Sequence, residues 1–405
     1  MRISSVSVFQ DAVNNFNDMQ SAISDTMNQI SSGVALTSPS VNPTAAAQVL
    51  VASQGKSVNT QYGVNRQNAT GALSTSDGVL AGATNLMQNL ESLIVQAGNG
   101  SFTTSDKATM AEQFKTSMNQ LMDLANSTDS NGNYMFSGSS VGTKPYVASS
   151  NGAVYQGNQV TQQLQVESSQ QVSVTQVGIS IFGNIQVSPN AYFSTPDGSN
   201  TSTATMSNGT VVTPAAVTND NYSVTFTSPT AYDVKDTSTG VTVTTNNAYT
   251  SGAPIVIAGV QYAVTNGPAP NGTPAAGDQF TVQPGNQNIF QVLTNIMNAV
   301  TQPTTTAGQQ TNFSNSLAQA NAAISKSMNN VLNTRDQIGN SLQQLTNLDS
   351  VGSTVDLSYT TTISNLQDTN YAQAVSQLTQ EQFTYKAAQQ AFANTSQLSL
   401  INMIR

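Results

Sequence analysis

The sequence of 405 residues contains neither cysteine nor histidine, and only 8% of its residues are charged. Without cysteine the chain forms no disulfide and offers no thiolate nucleophile or iron–sulfur ligand. Without histidine it lacks the imidazole base of many enzymes and the commonest zinc ligand. We therefore expect no catalytic residues, no cofactor and no metal site.

Positive charge is scarce as well, since 11 lysines and arginines stand against 20 acidic residues, for a net charge of −9. No basic cluster stands out, so phosphate-driven binding of nucleic acid is not expected. The sequence has no run of about 18 apolar residues, and its start lacks the apolar segment of a secretory signal peptide. We expect no membrane insertion, and export, if it occurs, must use a route without a cleaved signal.

Heptad repeats mark both ends of the chain and predict amphipathic helices there. Polar residues interrupt both seams, for example at Gln20, Gln382 and Gln389, so an isolated pair of these helices should be weak. We interpret the seams as an assembly surface between subunits or with a chaperone, and ordinary burial within the subunit is the alternative. The N-terminal seam consists of Val6, Phe9, Val13, Phe16, Ile23, Met27 and Ile30, and the C-terminal seam of Tyr371, Val375, Leu378, Tyr385, Phe392, Leu398 and Ile401.

Two further seams predict long helices that pack within the subunit. Apolar residues recur every three or four positions through 73–97 and every seven positions through 317–345. The predicted core of this helical rod is Leu73, Leu80, Met87, Leu90, Ile94, Leu317, Ile324, Val331, Ile338 and Leu345. Gly33 should end the first helix, Asn42 and Pro43 should begin the second, and Gly98 should close it. A third helix should be capped near Thr104 or Ser105.

A period of two replaces the helical period after Asn126, which favours strands, first around Tyr134–Phe136. The segment 186–285 is rich in Thr, Gly, Pro and Asn, and Asp236–Gly240 looks like a hairpin loop. Strands are expected around Tyr222–Phe226, Ile255–Ile257 and Phe280–Val282. The fold class is therefore α+β: an elongated long-helix bundle or coiled coil formed by both chain ends, with small β-hairpins and an inserted, mainly-β outer domain.

The predicted domain division has three parts. Residues 1–33 and 360–405 form a terminal coiled coil, 34–185 and 286–359 form the rod with its β-hairpins, and 186–285 form the outer β domain. Two local patterns are interpreted as surface features. Ser53-Gln-Gly-Lys56 fits a serine acyl-enzyme motif without its partner motifs, and Asp129–Asn133 lacks the glycine and glutamate of a calcium loop.

Several distinct short motifs follow one another in order toward the two ends of the chain. They are Met1–Ser4, Ile30–Gly33, Ala97–Gly100, Leu124–Ser127, the residues Gly132, Tyr134, Phe136, Ser137 and Gly138, then Thr334–Gly339, Leu348–Ser350 and the final helix from Leu366 to Ile401. In these motifs the chain resembles the flagellin superfamily, and within it the proteins at the junction of hook and filament. The resemblance covers roughly residues 1–185 and 286–405.

The chain also departs from the family pattern. Val34 and Ala35 stand where the family has basic residues, Val41-Asn42-Pro43 replaces Asp-Asp-Pro, and the Phe-Asn-Gly of flagellins is missing. A salt-bridge contact inferred from the family at this corner therefore does not carry over.

The resemblance implies a structural subunit of the bacterial flagellum that joins hook to filament. Its implied partners are the first hook-associated protein, flagellin, copies of itself in a ring, and an export chaperone at the C-terminal helix. It also implies an extracellular location after type III export, and a role in motility. Two alternatives stay open: a flagellin that forms the filament itself, and a surface adhesin or glycan-binding module that acts through the β insert.

Overall fold

A computed structural model describes residues 5–99, 103–149, 152–183, 185–186, 191–197, 199–218, 220–237, 239–284, 286–302, 304 and 307–404. In these ranges the chain forms seven α-helices and fifteen β-strands, all paired antiparallel. The helices are α1 (Ser5–Ser32), α2 (Pro43–Ala97), α3 (Thr104–Ala125), α4 (Gly178–Ile181), α5 (Ile289–Thr301), α6 (Ala307–Gln367) and α7 (Tyr371–Ile404), with a 3₁₀ turn at Pro214–Ala216.

The strands lie between α3 and α5. They are β1 (Tyr146–Ser149), β2 (Gly152–Tyr155), β3 (Gln163–Glu167), β4 (Gln170–Ser173), β5 (Ile185–Gln186), β6 (Ala191–Pro196), β7 (Thr205–Met206), β8 (Gly209–Val211), β9 (Tyr222–Ser228), β10 (Ala231–Asp236), β11 (Thr242–Ala248), β12 (Pro254–Ile257), β13 (Val260–Thr265), β14 (Gln279–Pro284) and β15 (Asn286–Gln287). The predicted class, long terminal helices with small hairpins and a mainly-β middle region, is confirmed.

The chain separates into two compact units. One comprises Met1–Arg66 and Asn347–Arg405, and the other comprises Gln67–Thr346. The first unit therefore contains both chain ends, and the second contains the strands. The three-part division expected from the sequence stays a prediction.

Local signals set the helix ends largely as the sequence predicts. Gly33 follows α1 with a positive φ of 72°, which a residue with a Cβ rarely adopts. Asn42 caps α2, because its Oδ1 accepts a hydrogen bond from the Ala45 backbone N–H at 3.0 Å. The cap of α3 is Thr103 rather than Thr104 or Ser105. The reason is a reciprocal capping box in which Thr103 and Asp106 each accept from the other's backbone N–H.

The helical part of the second unit is organised by the two internal seams. Every predicted core position is buried, from Leu80 at 0% to Leu317 at 7% exposure: Leu73, Leu80, Met87, Leu90, Ile94, Leu317, Ile324, Val331, Ile338 and Leu345. Helices α2 and α6 also contact through polar groups. Arg335 Nε donates to Asp77 Oδ1 at 2.8 Å, and this hydrogen bond raises the pKa of Arg335. Ser325 Oγ donates to Glu91 at 2.7 Å.

An aromatic cluster ties the small hairpins to α5. The ring of Tyr146, on β1, lies 4.9 Å from Phe290 of α5 and 6.1 Å from Phe182, and Phe182 packs edge-on against Phe136. The Tyr146 hydroxyl donates to the Gly178 carbonyl at 2.9 Å, and burial raises the pKa of Tyr146 well above its ordinary value. Since the ring carries both the packing and a buried hydrogen bond, it positions the hairpins over the helix.

The strand predicted around Tyr134–Phe136 is wrong. These residues form turns, with one isolated bridge between Thr128 and Tyr134. The side chains of Met135 and Phe136 are buried, so their apolar character reflects core packing rather than a strand face. Three alternating residues are too few to specify a strand once tertiary contacts compete.

Nine strands of the described ranges form one sheet. Its order is β11-β10-β9-β14-β6-β8-β13-β12, with β7 paired to β13. The sheet surrounds its own apolar core, in which Phe226 of β9 contacts Tyr249, Tyr232 and Phe280. The strands predicted at Tyr222–Phe226, Ile255–Ile257 and Phe280–Val282 and the turn at Asp236–Gly240 are confirmed.

In the first unit, α2 and α6 pack closely at two glycines. A Cβ at Gly352 of α6 would lie 2.2 Å from Nη2 of Arg66, and a Cβ at Gly55 of α2 would lie 2.7 Å from the ring of Tyr359. Arg66 is only 4% exposed, and its Nε donates to Asp349 at 3.2 Å. The buried guanidinium thus occupies the space that the missing Gly352 side chain leaves open.

We expect the substitution Gly352→Ala to lower the free energy of unfolding by about 1–3 kcal/mol, because the new methyl group displaces the buried Arg66 guanidinium from Asp349. Gly339→Ala is the matched control on the same helix, since nothing lies within 4 Å of its Cβ position. That control should raise stability by about 0.5–1 kcal/mol through helix propensity. Urea unfolding followed by circular dichroism measures both, and equal effects of the two substitutions would contradict the packing argument.

Asp278 is the most buried carboxylate of the sheet region, with 1% exposure. It accepts hydrogen bonds from the Ala275 N–H at 2.8 Å, the Thr201 N–H at 2.7 Å and the Thr201 hydroxyl at 3.3 Å. Burial raises the pKa of Asp278, but the hydrogen bonds outweigh it and leave the pKa below its ordinary value of 3.8. Ionised Asp278 therefore fixes two loops of the sheet.

The stability that Asp278 contributes is present above pH 3.8, the ordinary value, and is lost as the pH falls below 3.8 through the lower pKa of the folded state. We expect Asp278→Asn to cost about 1–3 kcal/mol at pH 7, since an amide cannot accept all these bonds. The difference from the natural protein should narrow below pH 3.8. Urea unfolding followed by tyrosine fluorescence, with Asp220→Asn as the control, measures it. A difference that stays constant down to pH 3 would contradict this assignment.

Candidate assembly surface

Hydrogen bonds between two chain corners bring the terminal helices together. The residues after α1 form a short antiparallel bridge with the segment between α6 and α7, through Val34 and Asp368. The Thr369 N–H donates to the Gly33 carbonyl at 2.9 Å, and the Ala35 N–H donates to Gln367 at 2.8 Å. The contacts along the two helices show that α7 runs antiparallel to α1, since Phe9 meets Phe392 whereas the later Thr26 meets the earlier Glu381.

Aromatic rings form the main contact between α1 and α7. Phe9 lies 5.8 Å from Phe392, and Phe16 lies 5.7 Å from Phe392 and 5.9 Å from Tyr385. Both contacts of Phe16 are edge-on, which is a favourable arrangement of aromatic quadrupoles. Four residues that heptad spacing assigns to the two seams therefore meet in the folded chain: Phe9, Phe16, Tyr385 and Phe392.

One polar contact lies at the other end of this pair. Thr26 is 3% exposed, and its hydroxyl donates to Glu381 Oε2 at 2.9 Å. Gln377 donates to the second carboxylate oxygen, also at 2.9 Å. Because this bond forms at one alignment of the helices, it disfavours a shift of α1 along α7. The heptad pattern places Met27 in the seam, but Met27 is 53% exposed and the adjacent Thr26 is buried instead.

The pair has very little buried interior. Among the described side chains of α1 and α7, only Thr26 and Ala374 are buried. Of the predicted assembly residues, the half-buried ones are Val13, Phe16, Ile23, Ile30, Leu378, Tyr385 and Phe392, and the mostly exposed ones are Phe9, Met27, Tyr371 and Val375. The side chains of Val6, Leu398 and Ile401, and the Met1–Ser4 and Gly100 motif residues, lie outside the described residues.

The structure exposes further apolar residues that spacing did not identify. Phe383 of α7 is 73% exposed and stands off the heptad seam. In the same unit, Leu50 and Val51 of α2 and Leu357 of α6 are 65–70% exposed. A search for large apolar residues on the polar faces of predicted helices would have found them. They extend the exposed apolar area beyond the terminal pair.

The other sequence patterns have structural roles. Lys56 of the Ser53–Lys56 motif donates to the Thr360 hydroxyl at 2.8 Å. Asp129 forms a polar turn by accepting from the Asn131 and Asn133 N–H groups. In the ranges that the structure describes, no three acidic side chains are grouped as metal ligands, and no helix combines the length and apolarity needed to cross a membrane.

We expect Thr26→Val to speed amide hydrogen exchange in both α1 and α7 by about fivefold to tenfold, because the buried methyl group leaves Glu381 Oε2 without its donor from α1. Thr379→Val is the matched control, since that exposed hydroxyl bonds only to the Val375 carbonyl of its own helix. Mass spectrometry of peptides from both helices measures the rates. Unchanged exchange in α7 would show that the bond does not couple the helices.

A family model described as the bacterial flagellin N-terminal helical region matches residues 3–141. Two curated proteins named flagellar hook-associated protein 3 align with the full length of the chain. The protein of Salmonella typhimurium is 25% identical over 406 residues, covering 100% of both chains. The protein of Escherichia coli is 26% identical over 403 residues, covering 100% of this chain and 99% of its own.

Solved structures agree with the sequence comparison. The crystal structure of FlgL from Xanthomonas campestris has a TM-score of 0.56 at 27% identity, covering 77% of this chain and 99% of that one. The flagellar hook-associated protein 3 of Legionella pneumophila has a TM-score of 0.56 at 28% identity, covering 78% and 98%. The chain is therefore related along its whole length to flagellar hook-associated protein 3, and its residues 3–141 match the flagellin N-terminal helical region.

Proposed function

We propose that this protein is a structural subunit of the bacterial flagellum that joins the hook to the flagellin filament. A solved relative from Legionella pneumophila, 28% identical with a TM-score of 0.52, is named the flagellar junction protein FlgL. The observation that carries the proposal is the α1–α7 pair, in which Phe9, Tyr371, Val375 and Phe383 stay more than half exposed. Such apolar area requires further protein partners.

The mechanism is geometric. Two helices side by side bury only one stripe each, whereas a helix surrounded by several others buries most of its surface. The α1–α7 pair therefore gains stability when pairs from several copies pack together, and assembly and ordering of the ends are coupled. The same subunit then presents different surfaces toward the hook side and toward the filament.

The proposed partners follow from this arrangement. They are the first hook-associated protein on the hook side, flagellin on the filament side and further copies of this chain in a ring. Because so few residues are charged, the surface interacts with water mainly through hydroxyl and amide groups. Contacts of this kind change little with salt, which suits an appendage exposed to variable media.

We also propose that the subunit reaches the flagellum by the flagellar export route, without a cleaved signal peptide. A dedicated chaperone would bind the C-terminal helix beforehand, because the first half of α7 exposes Tyr371, Val375 and Phe383. A chain without cysteine also avoids disulfide exchange during passage in an unfolded form. We assign the protein no catalytic role.

The competing hypothesis is that the protein is a flagellin that forms the filament itself. Its assembly behaviour distinguishes this hypothesis from the junction proposal. We expect the purified protein to remain unpolymerised alone, and to add short caps but no long filaments to filament fragments in precipitating salt. Electron microscopy measures this. Long, regular filaments of this protein would overturn the junction proposal, because they would mean that its two ends recognise copies of itself.

In the same assay, we expect Phe16→Asp and Tyr385→Asp to abolish capping, because each places a charge in the aromatic contact between α1 and α7. Asn15→Asp is the matched control, since it adds the same charge at an exposed position of α1. Circular dichroism should show that the rest of the fold is retained. Normal capping by either aromatic variant would contradict a role of this pair in assembly.

A further inference from the structure

A polar cleft opens in the second unit between the sheet and the helices. Its volume is about 390 Å³, within the range of small-ligand sites. One wall is the outer face of β6 and β14, with Thr195, Thr281 and Gln283. The opposite wall is α5, with Asn295 and Asn298. Thr195 and Thr281 are directly opposed on neighbouring strands, so their side chains lie side by side on one face of the sheet.

The cleft is nearly free of charge. Asp197 is the one charged residue among its described lining residues. Its Oδ1 already accepts from the N–H and the hydroxyl of Ser199. The nearby cation Lys107 is also engaged, since it donates to the Thr304 hydroxyl and its Nζ lies 5.2 Å from the Phe313 ring centroid. One carboxylate in the lining and one lysine beside it give no excess of either sign, and the other polar lining groups are neutral hydroxyls and amides, so the lining favours a neutral ligand.

Several lining groups have unused hydrogen-bonding capacity. Within the described part of the chain, the hydroxyls of Thr195 and Thr281 and the side-chain amide of Asn298 make no hydrogen bond. The Gln283 carbonyl oxygen accepts from Gln287 at 2.9 Å and from Asn295 at 3.1 Å. This arrangement fixes the two amides and leaves the Gln283 NH₂ as a donor and the Asn295 Oδ1 as an acceptor. Thr195, Thr281, Gln283 and Asn295 are half-buried and Asn298 is exposed, so their unused donors and acceptors are open to a partner that enters the cleft.

The unused groups mix donors, acceptors and hydroxyls that serve as both. A ligand that matches them must also donate and accept at closely spaced positions, without charge and with little apolar area. Vicinal hydroxyl groups of a sugar meet these conditions. Pro196 and Phe313, which also line the cleft, offer limited apolar area for the ring carbons of a sugar.

We propose that this cleft binds a neutral oligosaccharide of two or three sugar units. Thr195, Thr281, Gln283, Asn295 and Asn298 provide the hydrogen bonds. This binding activity goes beyond the junction role and does not rest on it, because it is a property of the free subunit in solution.

The test uses the full-length protein and a panel of neutral trisaccharides, namely maltotriose, cellotriose, mannotriose and triacetylchitotriose, with a sialylated trisaccharide as the charged comparison. Saturation-transfer NMR detects binding, and titration calorimetry gives the affinity. We expect at least one neutral trisaccharide to bind and the sialylated one to bind no better. Thr281→Val and Asn298→Ala should each weaken binding by about threefold to tenfold.

Thr210→Val is the matched control, because Thr210 is an exposed threonine of β8 outside the cleft. It should leave the affinity unchanged, and all three variants should keep the natural circular dichroism spectrum. The proposal is overturned if no neutral trisaccharide binds at up to about 10 mM, the weak limit of a specific site. It is also overturned if the cleft variants bind as tightly as the control, since the sugar would then lie elsewhere.

Discussion

Antiparallel packing of α2 and α6 brings together residues that are far apart in the sequence, and the rest of the structure depends on it. Arg335 reaches Asp77 across 258 positions, and Lys56 reaches Thr360 across 304 positions. Closing a loop of this size costs entropy that local contacts do not recover. Burial of two seams of apolar side chains offsets this entropy, and polar pairs such as Arg335–Asp77 help to fix which residues of the two helices lie opposite each other.

Once α2 and α6 are paired, the positions of the other elements are constrained. Both chain ends must lie in the same unit, because each long helix leads there. Hydrogen bonds from Thr369 and Ala35 then turn α7 and α1 toward each other. The resulting pair has aromatic contacts but almost no buried interior. A terminal pair of this kind has a preferred alignment and still exposes apolar side chains, which suits the proposed assembly.

The strands between the helical segments form a self-sufficient region. The sheet has its own core around Phe226, and Asp278 fixes its loops through buried hydrogen bonds. Its outer face is free to carry polar groups, because the core does not need them. Where that face meets α5, the threonines and amides of the two walls leave a cleft rather than a packed interface. A structural subunit can therefore carry a binding site without compromise to the helical packing.

Periodicity in the sequence determined the long helices and their buried faces, because a helix repeats its face every three to four residues whatever it packs against. Strand positions such as Tyr222–Phe226 and helix ends such as Gly33 and Asn42 also depend on neighbouring residues alone. The position and orientation of each element in space depend on distant residues as well. The burial of Thr26 in place of Met27, the exposure of Phe383 and the turn at Tyr134–Phe136 depend on which surface lies opposite.

Two further features, the space beside Gly352 and the cleft beside Thr281, likewise arise only from the tertiary structure. Gly352 continues the heptad seam of α6, but nothing in its spacing indicates that a buried arginine from α2 fills the gap. Thr281 is one threonine among many, and its role depends on the amides that α5 places across from it. The sequence by itself fixed which faces are apolar, since that is a property of one segment. The tertiary structure decided what each face meets, because a gap, a contact or an exposed ring requires two segments distant in the chain.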